Sequence, residues 1–298
     1  MTDPNQLTSP QQVLSAFDTA GYVADEELAT ILFLVLKLQK PLLLEGNPGV
    51  GKTEVANILS SVLDTQLIRL QCYEGLDLQS AVYEWNYQKQ LLSIKLQERS
   101  DKSLEEKEAH IFSDDFLLKR PLLQAITASK SPVLLIDEID RADEEFEAFL
   151  LEVLSAFQIS IPEMGTVHAK HRPYVILTSN RTRELSDALK RRCLYHWVDY
   201  PDPQKERRII GKHLPGIQDQ LAQQLVDLVN HLRKQKLDKS PGIAETIDWA
   251  KGLLALGYNE LSGESLQKSI GCLLKSADDI RRFENQGLEN LLAESNVS

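Results

Sequence analysis

Residues 46–53 read GNPGVGKT, a complete G-x-x-x-x-G-K-[ST] pattern, set between the apolar run 41–44 and the helix-forming stretch 54–63. A chain with this motif in this context has to run strand, tight loop, helix. Gly46, Gly49 and Gly51 let the backbone turn tightly enough for its N–H groups to face inward around a phosphate, and the helix N-terminus adds partial positive charge there. Asn47, Pro48 and Val50 complete the loop, Lys52 is placed to reach the β- and γ-phosphates, and the Thr53 hydroxyl is a ligand for Mg²⁺. The competing reading, a glycine-rich turn without a ligand, is disfavoured by the flanking strand and helix.

At 298 residues the chain exceeds the usual size of one core, so two packed units are expected. Residues 1–12 are polar and carry two prolines, which does not fit a secretory leader. The most apolar stretch, 31–38, is interrupted by Lys37 and followed by Lys40 and Pro41. It falls far short of the ~20 residues needed to span a bilayer, and reads as a buried helix. Cys72, Cys193 and Cys272 stand apart with no C-x-x-C pair, which argues against a disulfide framework or a cysteine zinc site and fits a reducing, cytoplasmic compartment. A net charge of −11 speaks against a broad basic surface for nucleic acid.

Beyond the loop the pattern alternates. LIRLQC (67–72), VLLID (133–137), YVILTS (174–179) and YHWVDY (195–200) read as strands, the middle two buried on both faces, with helices over 116–128 and 143–156. Two hairpins are expected, one in 81–97 around Gln88-Lys89-Gln90 and one joining Ile159 and Ile161 to Val167. The charged run 99–108 reads as a solvated helix or loop. Strands alternating with helices imply a doubly wound parallel α/β layer structure. At Pro201-Asp202-Pro203 the pattern changes to helices separated by proline and glycine pairs. The expected division is therefore an α/β core over 1–200 with the two hairpin inserts, then a small all-helical domain over 201–298.

The acids that end VLLID can do different jobs, because successive strand side chains point to opposite sides. Asp137 is the candidate to hold Mg²⁺, and Glu138 to polarise a water facing the γ-phosphate. Asn180, after YVILTS, falls at the carboxyl ends of the parallel strands, where ligands bind in such sheets. An asparagine turn residue is the alternative. Arg191 and Arg192 close a short helix before the last strand. They suit either transition-state charge in a neighbouring molecule or cationic complementation of the helix C-terminus, and Arg141 has a similar ambiguity. His168 and His171 lack the further ligands a metal site needs.

GNPGVGKT, LLIDEID, LTSN and the end of ALKRRC, in that order, resemble a AAA+ ATPase. EIDRA with its following helix and RELSDALKRRCLYHWVDYP resemble the MoxR family. EGLDLQSAVYEWNYQKQLL and SPGIAETIDWA are similar to the accessory ATPases of carbon monoxide dehydrogenase-type molybdenum hydroxylases. The resemblance implies a P-loop NTPase core with a helical lid, using ATP and Mg²⁺. Lys52, Thr53, Asp137 and Glu138 take the two Walker roles, Asn180 is the first sensor, and Arg192, rather than Arg191, matches the arginine finger. It further implies a homo-hexameric ring that remodels or matures a client metalloenzyme through a von Willebrand A-domain adaptor. One departure stands out: where many lids carry a second-sensor arginine, this chain has Ser240-Pro241-Gly242-Ile243-Ala244-Glu245. Two other classes stay open, a nucleotide-gated scaffold with little turnover and a DNA-handling motor. The motor is supported only by the basic clusters at 170–172, 207–208 and 281–282.

Overall fold

Aliphatic runs flanked by polar caps set the order of elements in the computed structural model, which describes residues 7–97, 103–286 and 291. The chain opens with helices α1 (Pro10–Thr19) and α2 (Glu26–Leu38), strand β1 (Leu42–Gly46), helix α3 (Lys52–Val62) and strand β2 (Leu67–Gln71). Short elements follow: α4 (Leu78–Ala81), β3 (Tyr83–Trp85), α5 (Tyr87–Gln97), α6 (Leu104–Ile111), β4 (Leu117–Lys119) and α7 (Pro121–Thr127). Next come β5 (Val133–Asp137), α8 (Glu144–Ala156), β6 (Gln158–Ile161), β7 (Gly165–His168), β8 (Tyr174–Ser179), α9 (Asp187–Arg192) and β9 (Leu194–Val198). Five strands form one sheet in the order β2-β5-β8-β1-β9. The pairs β2/β5, β5/β8 and β8/β1 are parallel, with Leu70 opposite Ile136, Ile136 opposite Leu177, and Leu43 opposite Leu177. Every residue of β1, β5 and β8 is buried, as in a sheet covered by helices on both faces.

The chain divides into two compact units. The first takes the chain up to Leu14, then Glu26–Glu45 and Thr53–His196; the second takes Ser15–Asp25, Gly46–Lys52 and the chain from Trp197 on. The core of the first unit is built from the sheet, α7 and α8, with Leu43, Ile136, Leu177, Leu122, Phe146 and Leu150 among its buried members. Helix α8 starts where the Asp143 carboxylate accepts the Phe146 N–H at 2.8 Å, with three glutamates in its first turn facing the positive end of the helix dipole.

The stretch 81–97 is not a hairpin. Tyr83–Trp85 pairs antiparallel with the distant Leu117–Lys119, and Tyr87–Gln97 is helical. Tyr87, Leu91 and Ile94 recur at i, i+4 and i+7, and no glycine or asparagine-glycine turn interrupts residues 87–97, so helix formers prevail over the alternation. The helical spacing over 116–128 is likewise realised only from Pro121, which suits a first helical position. Residues 99–102 of the charged run lie outside the described residues; 104–108 belong to α6, opened by a reciprocal Ser103–Glu106 capping box. Residues 158–168 do form a hairpin, with Ile159 opposite Val167.

The second unit carries α10 (Pro203–His213), α11 (Asp219–Arg233), α12 (Ile243–Ala255), α13 (Gly263–Leu273) and α14 (Ala277–Gln286). Leu221, Leu225, Leu228 and Leu232 line one face of α11 and pack with Trp249, Leu266 and Phe283 in a single core. The Trp249 indole, fully buried, donates to Ser269 Oγ at 2.7 Å, which satisfies its one polar atom. Among the described residues no helix is long and apolar enough to cross a membrane.

Candidate functional site

In the second unit the loop after β1 takes the shape its glycines permit. Gly49 and Gly51 have φ of +76° and +91°, values that side-chain-bearing residues rarely adopt. A Cβ on Gly46 would lie 2.2 Å from the Val198 carbonyl oxygen, so this position has room only for hydrogen. Lys52 is nearly buried, and its ammonium donates to the carbonyls of Gly46 and Asn47, both at 2.8 Å. The loop thus holds its own cation on its carbonyls, at the position from which the motif's lysine reaches a polyphosphate. A cavity of about 540 Å³ borders Asn47 and Pro48, walled by Tyr200, Leu237, Pro241 and Leu273 and by the polar Asp238, Lys239, Glu245 and Lys275.

In the first unit Thr53, the next residue along the chain, donates from Oγ1 to Asp137 Oδ1 at 3.1 Å. Asp137 is buried at the end of β5. Its carboxylate also accepts from Thr178 Oγ1 at 2.5 Å and from Arg69 Nη2 at 2.6 Å. Glu138 has left-handed backbone, φ 54° and ψ 49°, unusual for a non-glycine residue, and its N–H donates to Thr178 Oγ1 at 2.9 Å. The turn separates the two acids: Asp137 faces the hydroxyls, and Glu138, about one-third exposed, pairs with Arg141 at 3.3 Å, its one charged partner among the described residues. One hydroxyl and one carboxylate are a sparse donor set. They fit Mg²⁺, which usually takes few protein ligands beside phosphate oxygens.

Asn180 stands after β8, and its N–H donates to Asp140 Oδ1 at 3.2 Å. The buried Asp140 also accepts from the Thr182 N–H and hydroxyl at 2.8 and 2.7 Å, so it pins the turn that carries Asn180. Arg191 and Arg192, both exposed, end α9. Arg192 Nε donates to Ser155 Oγ on α8 at 2.8 Å, and its Nη1 to the Ala188 carbonyl at 3.2 Å; Arg191 makes no such contact among the described residues. Each sequence-derived residue of the first unit therefore lies on a strand end or helix end. The contacts unite Thr53 with Asp137 and tie both Asp137 and the Glu138 N–H to Thr178, but place neither Arg191 nor Arg192 against these acids.

Sequence reasoning did not assign roles to Arg69, Thr178 or Asp140. Thr178 carried a weak signal as a polar residue inside an apolar strand, and Arg69 as the one charge in LIRLQC. The acids leave a mark on Cys72, whose N–H donates to the Asp137 carbonyl at 2.9 Å. Burial first, then the charges of Asp137, Asp140 and Glu138, push its thiol up to about 12. Cys193, after the arginines, is pushed to about 12 by burial alone.

Residues 41–193 match the family model described as AAA domain (dynein-related subfamily). An uncharacterized protein of Staphylococcus aureus (strain NCTC 8325 / PS 47) is 29% identical over 225 residues, covering 74% of this chain and 77% of that protein. One of Staphylococcus haemolyticus (strain JCSC1435) is 27% identical over 240 residues, covering 78% and 82%. Among solved structures, a mutant of Thermotoga maritima RuvB is similar with a TM-score of 0.48 and 18% identity, over 91% of this chain and 72% of that one. The matched segment takes in β1 through α9, with the loop, the Asp137-Glu138 turn, Asn180 and both arginines, and on that ground the chain belongs to the AAA domain (dynein-related subfamily) family, an α/β P-loop fold followed by a helical region.

Proposed function

We propose that this chain is an ATP hydrolase whose site residues are Gly46 to Thr53, Asp137, Glu138 and Asn180. The observation that carries this reading is the contact of Thr53 with Asp137, beside a glutamate whose backbone N–H donates to the Thr178 hydroxyl that also bonds Asp137. Lys52 and the loop N–H groups would hold the phosphates, and Thr53 and Asp137 would hold Mg²⁺, which would supply charge neutralisation there. Glu138 orients the attacking water and accepts its proton, and Asn180 sits over the same strand ends. Phosphoryl transfer leaves little else for the protein to do than position and neutralise.

The finer reading is that Arg192 serves the site of a neighbouring copy in a ring, six-membered as the MoxR resemblance implies, and that hydrolysis moves the helical lid to remodel a client protein. The exposure of Arg192 supports this, as does its bonding to Ser155 and not to Asp137 or Glu138. By the resemblance of 74–92 and 240–250 the client is a metalloenzyme, a molybdenum hydroxylase receiving its metal, with a von Willebrand A-domain adaptor. Three free thiols suit a cytoplasmic setting. The DNA-motor reading loses support at two of its three basic clusters: Arg208 faces Asp18 at 3.4 Å and Arg207 faces Asp219 at 3.6 Å, while Arg281 lies 4.0 Å from Asp278.

The test is Glu138→Gln. Loss of a general base costs about 10²–10⁴-fold in turnover, while binding of a fluorescent ATP analogue should stay within a few-fold of the parent. Unchanged turnover would exclude the assigned role. The same variant in ATP should retain a client from a source extract that a Lys52→Ala control does not retain; equal recovery by both would reject remodelling.

A further inference from the structure

The segment 240–245, where an arginine is expected, is instead fastened to the phosphate loop by backbone. The Ile243 N–H donates to the Gly49 carbonyl at 2.9 Å. Gly242 is seated so close that a Cβ there would lie 2.7 Å from Gly49 Cα, and one on Gly49 would lie 3.0 Å from Gly242 Cα. Two glycines from distant parts of the sequence thus meet backbone to backbone, with Glu245 Oε2 beside both: it would lie 3.0 Å from a Cβ on Gly49 and 2.8 Å from one on Gly242. The lid side of this contact is held in turn. Gly242 N–H donates to Glu245 Oε2 at 3.1 Å, and its carbonyl accepts the Thr246 hydroxyl at 2.9 Å. Arg233 donates to the Pro241 carbonyl at 2.8 Å, pairs through two nitrogens with the buried Glu206 at 2.7 and 2.9 Å, and stacks 4.5 Å from the Tyr200 ring. The Arg233 guanidinium, bonded through all three of its nitrogens, braces the segment.

We propose that this clamp, the Ile243 N–H on the Gly49 carbonyl with Gly242 packed against Gly49, sets the phosphate loop in its nucleotide-binding shape. Ile243 and Gly242 are positioning residues for the polyphosphate of a nucleoside di- or triphosphate. The proposal rests on the nucleotide-site reading above. In a trans peptide the carbonyl and the following N–H point in opposite directions. Anchoring the Gly49 carbonyl on Ile243 therefore turns the Val50 N–H to the other side of the loop, as a phosphate cradle of backbone N–H groups needs. The φ of +76° at Gly49 is held in place by a partner outside the loop, so the loop does not have to find this conformation when the ligand arrives.

Ile243→Pro isolates the hydrogen bond. Ile243 is the first residue of α12, where proline is favoured, and Gly242 before it is extended, with φ −87° and ψ −177°, as a residue preceding proline must be. The substitution deletes one N–H and leaves the helix able to start. Ile243→Ala keeps the N–H and loses the side chain. Binding of a fluorescent ADP analogue is measured for both, beside the thermal midpoint without nucleotide. The expected result is about tenfold weaker ADP binding in Ile243→Pro, Ile243→Ala within about twofold of the parent, and midpoints of all three within a few degrees. Equal affinities of the Pro and Ala variants would overturn the clamp. If the proline variant melts far below the parent, Gly242→Ala decides by the same comparison: weaker ADP binding at a parental midpoint supports the clamp, and parental affinity overturns it. A parent protein that binds no ADP would instead overturn the nucleotide-site reading itself.

Discussion

The Thr178 hydroxyl occupies a place that a single methyl group would empty of function. It donates to Asp137 and accepts from the Glu138 N–H, so it fixes both the carboxylate rotamer and the left-handed turn that points the second acid elsewhere. Thr178→Val keeps the shape and removes both bonds. The partly buried Glu138 N–H and one Asp137 carboxylate oxygen each lose a partner, at a cost of about 1–3 kcal/mol. Urea denaturation should show that loss in the midpoint with an unchanged slope, and turnover should fall at least tenfold because Glu138 is released from its turn. A variant as stable as the parent would mean that the hydroxyl is dispensable. This residue was only half legible in the sequence. YVILTS states a buried strand, but that its fifth residue faces the end of VLLID depends on the register of β5 against β8, which no local pattern encodes. Arg69 was hidden for the same reason: one charge in an alternating strand reads as solvent-facing until β2 is set beside β5, with Arg69 opposite Leu135 and within reach of Asp137.

At the scale of elements, what could be read was what a short window contains. VLLID and YVILTS are continuous aliphatic runs of strand length, and GNPGVGKT dictates a turn, so β5, β8, β1 and α3 followed directly. The 81–97 segment misled because its alternating aromatic and aliphatic residues fit a strand period over a few positions and a helix period over more; the partner that makes 83–85 a strand lies at 117–119, beyond any local window. The end of β1 shows how tightly an element boundary can be specified. Gly46 faces the Val198 carbonyl at a separation that forbids a methyl group, and no flexible side-chain tip is available to yield. Gly46→Ala must displace backbone on one side or the other. Overpacking of this kind costs about 1–3 kcal/mol, and because Lys52 donates to the Gly46 carbonyl the displacement also moves the cation. Chemical denaturation should register the loss, and nucleotide affinity should fall with it. Parental values of both would show that the Val198 strand end shifts freely.

For the whole molecule, the proposed chemistry is divided among copies. The loop and the acids belong to one chain, while Arg192 is exposed and bonded to Ser155 on α8, with no contact to Asp137 or Glu138. A head-to-tail assembly would supply each site with an arginine from its neighbour. Two consequences separate this from a self-sufficient monomer. Turnover per chain should rise with protein concentration through the range in which sedimentation shows association. Arg192→Ala should lose about 10³–10⁵-fold in turnover while binding nucleotide normally. The sharper experiment mixes two inactive proteins. Lys52→Ala lacks the phosphate contact but keeps the arginine; Arg192→Ala lacks the arginine but keeps the loop. In a randomly mixed head-to-tail assembly of equal parts, about one interface in four joins an intact loop to an intact arginine, so turnover should return to about a quarter of the parent's. In a monomer that hydrolyses ATP alone, or one whose Arg192 acts within its own chain, no site is ever restored and the mixture stays as inactive as its components.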